Sequence, residues 1–190
     1  MSFARLYDEV QLIKGKVSTR WLREQAISLS QINRVKEQWT SALDSEHMRG
    51  FYIEGPLEPP VPLLDNESLI VLCRGLPRHW RRLVYTKELM HVFDKPEEKA
   101  DNPEKFVAQV ERFRDPTSAP TPQYQAEEKA LWRALAVLCQ ENRRADYERQ
   151  LAAKEVSIDF IATALQLPAV YTRHLFREDF LAVVEHIKAE

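Results

Sequence analysis

Glycine is scarce in this chain: there are four among 190 residues, and neither G-x-G-x-x-G nor G-x-x-x-x-G-K-[ST] occurs. That shortage argues against a glycine-rich loop that cradles phosphates through its backbone. Cysteine is nearly absent too, with Cys73 and Cys139 far apart inside apolar runs. This is the pattern of buried, reduced thiols in a cytosolic protein. A single bridge between them needs only suitable geometry, which a sequence does not give. No apolar run approaches the roughly 18 residues of a membrane span, and no basic segment leading into an apolar one opens the chain. Charge of one sign is lacking as well. Lys and Arg number 27 against 29 Asp and Glu, a net charge of −2. That balance leaves no broad basic footprint for nucleic acid and no acidic tail. The expectation is a soluble, cytoplasmic protein with no membrane partner.

What is present is an ordinary globular composition, 44% hydrophobic and 29% charged, enough to bury a core without staples. The length fits one domain with an extension. Residues 1–17 read weakly as helix. Ser18 and Thr19 then offer an N-cap, and Leu22, Ala26, Leu29, Ile32, Val35, Trp39 and Leu43 follow at spacings of three and four. This predicts one long amphipathic helix, hence a helical extension over 1–48 and a main domain over 49–190. Phe51–Glu54 reads as a short strand, and the proline-rich loop after it is incompatible with helix. Leu69–Cys73 is a continuous apolar run closed by Gly75 and Pro77, the pattern of a buried strand. Pro77 opens a helix that carries Trp80, Leu83, Val84, Glu88, His91 and Val92 on related faces.

Residues 94–123 are polar and hold five of the 11 prolines. They predict a loop around a short helix near 103–113, of the length that often serves as a lid. Helix returns over 125–140 and again over 143–150. Two short helices follow around Leu167-Pro168, and a last one runs over 178–188. The class is α+β, mostly helical, with a small sheet.

The informative stretch is Lys87-Glu88-Leu89-Met90-His91. On a helix, positions 87 and 91 lie one turn apart on one face, with Glu88 beside it. In the HExxH zinc motif two histidines occupy those positions, and the glutamate is general base on metal-bound water. Here Lys87 holds the first histidine's place. An E-x-x-H alone is weak, and the bland alternative is ordinary helix residues with His91 bonded to a backbone carbonyl.

The order strand, Gly/Pro turn, then a helix containing Arg81, Arg82, Thr86, Glu88, Leu89, His91 and Val92 resembles the ImmA/IrrE-type zincin metallopeptidase family. The segment 126–138 is similar to that family's acidic third-ligand helix, which places Glu128 at the third-ligand position and Trp132 at a Phe position. Residues 161–175 look like its helix-turn-helix-like pair, within 158–176. The resemblance spans about residues 50–177 and implies a zincin-like core. It also implies a regulatory setting, such as phage or mobile-element control, in which a helix-turn-helix repressor is the partner.

The departures from that pattern shape the expectation. His91 supplies one nitrogen and Glu128 (or Glu127) one carboxylate, whereas catalytic zinc takes three protein ligands plus water. A lysine with reference pKa of about 10.4 must lose a proton before it ligates. Its ammonium more simply fills the metal's place and pairs with Glu128 and Glu88. The reading is a metal-free, catalytically inactive member, with no cofactor, that binds a protein or peptide. One alternative is a working zinc peptidase with Glu88 as base, completed by a histidine from His47, His79, His174 or His186. His79 would sit roughly 18 Å along the helix from His91, too far to share a metal. Another alternative is a DNA-binding regulator that uses Arg173, His174 and Arg177 of the C-terminal pair. The clusters Arg78/Arg81/Arg82 and Arg143/Arg144/Arg149 read as solvated or internally paired faces, with nucleic-acid contact as the other option.

Overall fold

The computed structural model describes residues 2–57, 62–99 and 121–190. Helix α1 (Phe3–Gln11) puts Phe3, Leu6, Tyr7 and Val10 into the core. Helix α2 (Thr19–Ser28) starts at Ser18, whose hydroxyl accepts from the Trp21 N–H at 3.0 Å. That bond satisfies one of the donors a helix start leaves open. The sheet is built from β1 (Arg34–Thr40), β2 (Gly50–Glu54) and β3 (Glu67–Cys73), in the order β1-β3-β2.

Strand β3 is central and buried along its whole length. Its β-branched and leucine run suits a strand covered on both faces. Ile70 and Leu72 enter the main core, while Leu69 and Val71 meet Leu63 on the other face. β1 pairs with β3 in parallel, from Arg34 opposite Glu67 to Thr40 opposite Cys73. β2 pairs with β3 antiparallel, with Tyr52 opposite Ile70.

Helix α3 (Arg78–Met90) follows β3 and ends in a 3₁₀ turn, His91–Phe93. A second 3₁₀ turn covers Pro96–Glu98. Helix α4 (Pro122–Leu138) packs on α3. Helices α5 (Glu141–Ala152), α6 (Ile158–Leu165), α7 (Ala169–Thr172) and α8 (Phe180–Lys188) complete the chain, with a 3₁₀ turn at Arg173–Phe176. The architecture is α+β, helix-rich, with a small mixed sheet.

The long helix expected over 22–43 is corrected. Its first part exists as α2, but the chain turns at Ser30, whose hydroxyl accepts from the Ile32 N–H at 3.1 Å, and continues as β1. Ile32, Val35 and Trp39 keep a helical spacing by coincidence. Seven residue pairs with β3 decide the conformation, a tertiary context that outweighs local pattern. Residues 3–35 also supply Leu6, Val10, Leu22, Ala26 and Val35 to the same core as α3 and α4. The N-terminal segment is therefore built into the fold that holds the site.

Cys73 and Cys139 are both free and buried. Burial pushes the Cys139 thiol up to about 12, so it stays protonated and unreactive at neutral pH. Among the described residues, no helix is long and apolar enough to cross a membrane. The short helix expected near 103–113, and with it the body of the expected lid, lies outside the described residues.

Candidate functional site

Helix α3 places Leu83, Val84, Lys87, Glu88 and His91 along one wall of a cleft of about 660 Å³. These positions recur at three and four residues, the spacing of one helical face. β2 supplies the opposing wall through Gly50, Phe51, Tyr52 and Glu54, and α4 adds Gln123, Ala126, Glu127 and Leu131. The start of the 94–123 segment contributes Asp94, Glu98 and Lys99 to the rim. Lys99 ties this rim to β2 by an ion pair with Glu54 at 2.6 Å.

At the floor, Lys87 Nζ donates to Glu88 Oε1 at 3.0 Å and to Glu127 Oε2 across the α3–α4 interface. Glu88 is almost fully buried, at 2% side-chain exposure, and Lys87 and Glu127 are each at 20%. Burial opposes the charge on Lys87, but Glu127 and Glu88 outweigh it and hold the ammonium above its ordinary range. Burial raises the Glu88 carboxyl, with Lys87 opposing and Glu127 reinforcing that rise. The lysine is thus fixed as a cation between two carboxylates.

His91 lies one turn on. Its Nδ1 is 2.5 Å from Asp94 Oδ2, and Asp94 Oδ1 accepts from Arg133 Nη1 at 2.6 Å. Asp94 and Arg133 are both at 3% side-chain exposure. The Tyr52 ring stacks on the imidazole, with centroids 5.8 Å apart. Burial disfavours the imidazolium, yet Asp94 and Glu127 together leave the pKa of His91 above its ordinary value. His91 Nε2 stands 3.6 Å from Glu127 Oε1 and 3.8 Å from Glu88 Oε2. Among the described residues, neither Nε2 nor Glu88 Oε2 has a hydrogen-bond partner.

The structure corrects one residue. Glu127, and not Glu128, reaches Lys87. The buried stripe of α4 runs through Ala126, Ala130, Arg133, Ala134 and Val137. Glu127 sits at its cleft-side edge, and Glu128, about 100° further round the helix, is exposed. Trp132 also lies away from the cleft, packed edge-on to His174 and against Phe180. Asp94 and Arg133 were missed by sequence reasoning. An arginine inside the otherwise apolar Ala130–Leu138 run is the signal that could have found them, since a buried cation needs a partner.

The other candidates disperse. His47 is on the exposed rim, paired with Asp44 at 2.8 Å, while His79 and His186 are exposed. His174 stacks on Tyr171. None of the four joins the Lys87 cluster. Arg177 pairs with Asp179 at 2.6 Å and lies over the Trp132 ring, Arg173 is exposed, and the helix before them, α7, has four residues. Arg144 is held by Glu141 and Glu148, and Arg149 by Asp146.

Zinc fits this donor set poorly. His91 Nε2 is the one imidazole nitrogen beside Glu88 and Glu127 among the described residues, and the space next to these carboxylates is taken by the Lys87 ammonium. Among the described residues no group of three or more His, Cys, Asp or Glu could hold a metal ion. Chemically the cleft offers a fixed cation, a buried carboxylate and an imidazole on an aromatic, part-apolar floor. No family model, curated protein or solved structure matches the chain in the three comparisons made.

Proposed function

We propose that the protein is a non-catalytic binding module whose cleft takes an extended peptide segment of a protein partner. The observation that carries this reading is the placement of Lys87 between Glu88 and Glu127. In the zincin arrangement that the α3 sequence resembles, a histidine and a metal would provide the positive charge facing these carboxylates. Here a side chain provides it, which favours a scaffold that recognises a partner without activating water. β2 pairs antiparallel with β3 and forms one wall of the cleft. Its residues Gly50, Phe51, Tyr52 and Glu54 line the cleft. An extended peptide laid along this wall can place its side chains in adjacent pockets. Tyr52, Leu83, Val84 and Leu131 supply apolar contact, and Lys87, Glu88 and His91 supply polar contact. A helix-turn-helix repressor is the partner class that the resemblance suggests.

Selection of displayed random peptides on the immobilised full chain tests this reading. The expected peptides bind the wild type, lose about tenfold or more in affinity to Tyr52→Ala, and remain intact on prolonged incubation with the protein and added zinc. Zinc-dependent cleavage of the selected peptides would overturn it, as would binding that ignores Tyr52→Ala.

A further inference from the structure

On the opposite side of α3 from the Lys87 cleft lies a second cleft of about 600 Å³, near the start of α2. Its lining holds six cations, Lys16, Arg20, Arg23, Arg78, Arg81 and Arg82, against one acid, Glu37. That acid is already shared, since Arg23 pairs with it at 3.3 Å and the Tyr85 hydroxyl donates to it at 3.0 Å. Arg20 is paired outward with Glu24.

Arg82 is the decisive residue. It is 8% exposed, and its Nη2 donates to the Val17 carbonyl at 2.8 Å. Among the described residues its Nε has no hydrogen-bond partner. Burial and the neighbouring Arg143 and Arg78 lower its pKa to about 10, with no ion pair to a carboxylate among the described residues. An arginine buried without a counter-ion is costly, and six cations facing one cleft repel one another. The Lys16 ammonium responds to the same field, depressed by burial and by Arg82, Arg78 and Arg143. The ten-residue α2 adds the positive end of its dipole at this place.

We propose that this second cleft binds the diphosphate group of a small ligand, such as a nucleoside diphosphate. Guanidinium forks match phosphate oxygens two at a time, and two linked phosphates supply the several negative charges that the cation excess calls for. Arg82, buried at the wall of the cleft, can be reached by a small group and not by the backbone of a rigid duplex. A nucleic-acid duplex needs a broad exposed basic face, which a chain of net charge −2 does not advertise.

The test is isothermal titration of the full chain with inorganic pyrophosphate and, separately, with ADP at about 150 mM salt. One saturable site is expected. The exposed double variant Arg78→Gln/Arg81→Gln should weaken it by about tenfold or more, and Arg82→Lys should do the same if it folds. Arg173→Gln, which removes an exposed cation that lines neither cleft, should leave it unchanged. Pyrophosphate as tight as ADP assigns the site to the diphosphate alone, and tighter ADP adds a nucleoside contact; both support the proposal. No saturable binding of either probe at millimolar concentration would overturn it. So would affinity indifferent to Arg78→Gln/Arg81→Gln, or binding confined to oligonucleotides with a steep salt dependence.

Discussion

Lys87 and Glu127 are 40 positions apart in the chain and form an ion pair across the α3–α4 interface. Glu88 accepts from the same ammonium. The pair joins the two helices that carry the cleft, so its charge balance has consequences for stability.

Removing the cation leaves two carboxylates facing each other in a largely buried site. Lys87→Met should therefore destabilise the protein by about 3 kcal/mol, the range for breaking a buried pair from one side. Adding Glu88→Gln and Glu127→Gln to Lys87→Met should recover most of that loss, because no uncompensated charge remains. Urea denaturation of the single and triple variants measures both changes, and equal losses in the two would contradict the assignment.

The Asp94 carboxylate bridges His91 and Arg133. His91 has a folded pKa above its ordinary 6.5. Its contribution to stability is therefore complete below about pH 6.5 and is lost as pH rises through the folded value. Asp94→Asn should lower the His91 pKa and flatten this dependence. It should also cost about 3–5 kcal/mol, since Arg133 is left buried without its partner. An NMR titration of the imidazole with parallel denaturation curves at pH 6 and pH 8.5 reads both.

Gly50 opens β2 where the strand lies against α3. A Cβ there would meet Val84 Cγ1 at 2.8 Å, the Val71 carbonyl oxygen at 2.9 Å and Leu72 Cδ2 at 3.0 Å. Gly50→Ala should push the strand from the helix and cost about 1–3 kcal/mol, as overpacking does. Because Gly50 also lines the cleft, the variant should weaken peptide binding beyond what its lower melting temperature explains.

Much of this framework is legible in the sequence, and the exceptions have physical reasons. Ser18 announces its cap because a hydroxyl before an amphipathic run has one obvious role. The run Leu69–Cys73 announces a central strand because it is apolar on both faces. β1 is hidden because an edge strand with one fully buried side chain, Val35, carries little period-two signal. Glu127 against Glu128 is a question of helix phase. Neighbouring residues differ by about 100°, and only the packing of Ala126 and Ala130 against the rest of the fold fixes which one faces α3. The Asp94–Arg133 pair joins segments 39 residues apart, beyond the reach of any local pattern. The basic cleft gathers Lys16, Arg23 and Arg82 from separate elements, and so the sequence shows only its Arg78/Arg81/Arg82 part.

Zinc titration of the wild type beside Lys87→His tests the central claim most directly, that a lysine stands where a metal ligand would. With the ammonium gone, a histidine at 87 shares a helix face with His91 and faces Glu127, giving the three protein ligands a zinc site needs. The wild type should bind no stoichiometric zinc, and the variant should bind one zinc per chain at micromolar affinity or tighter. One tightly held zinc in the wild type, or no gain of affinity in a folded Lys87→His protein, would contradict it.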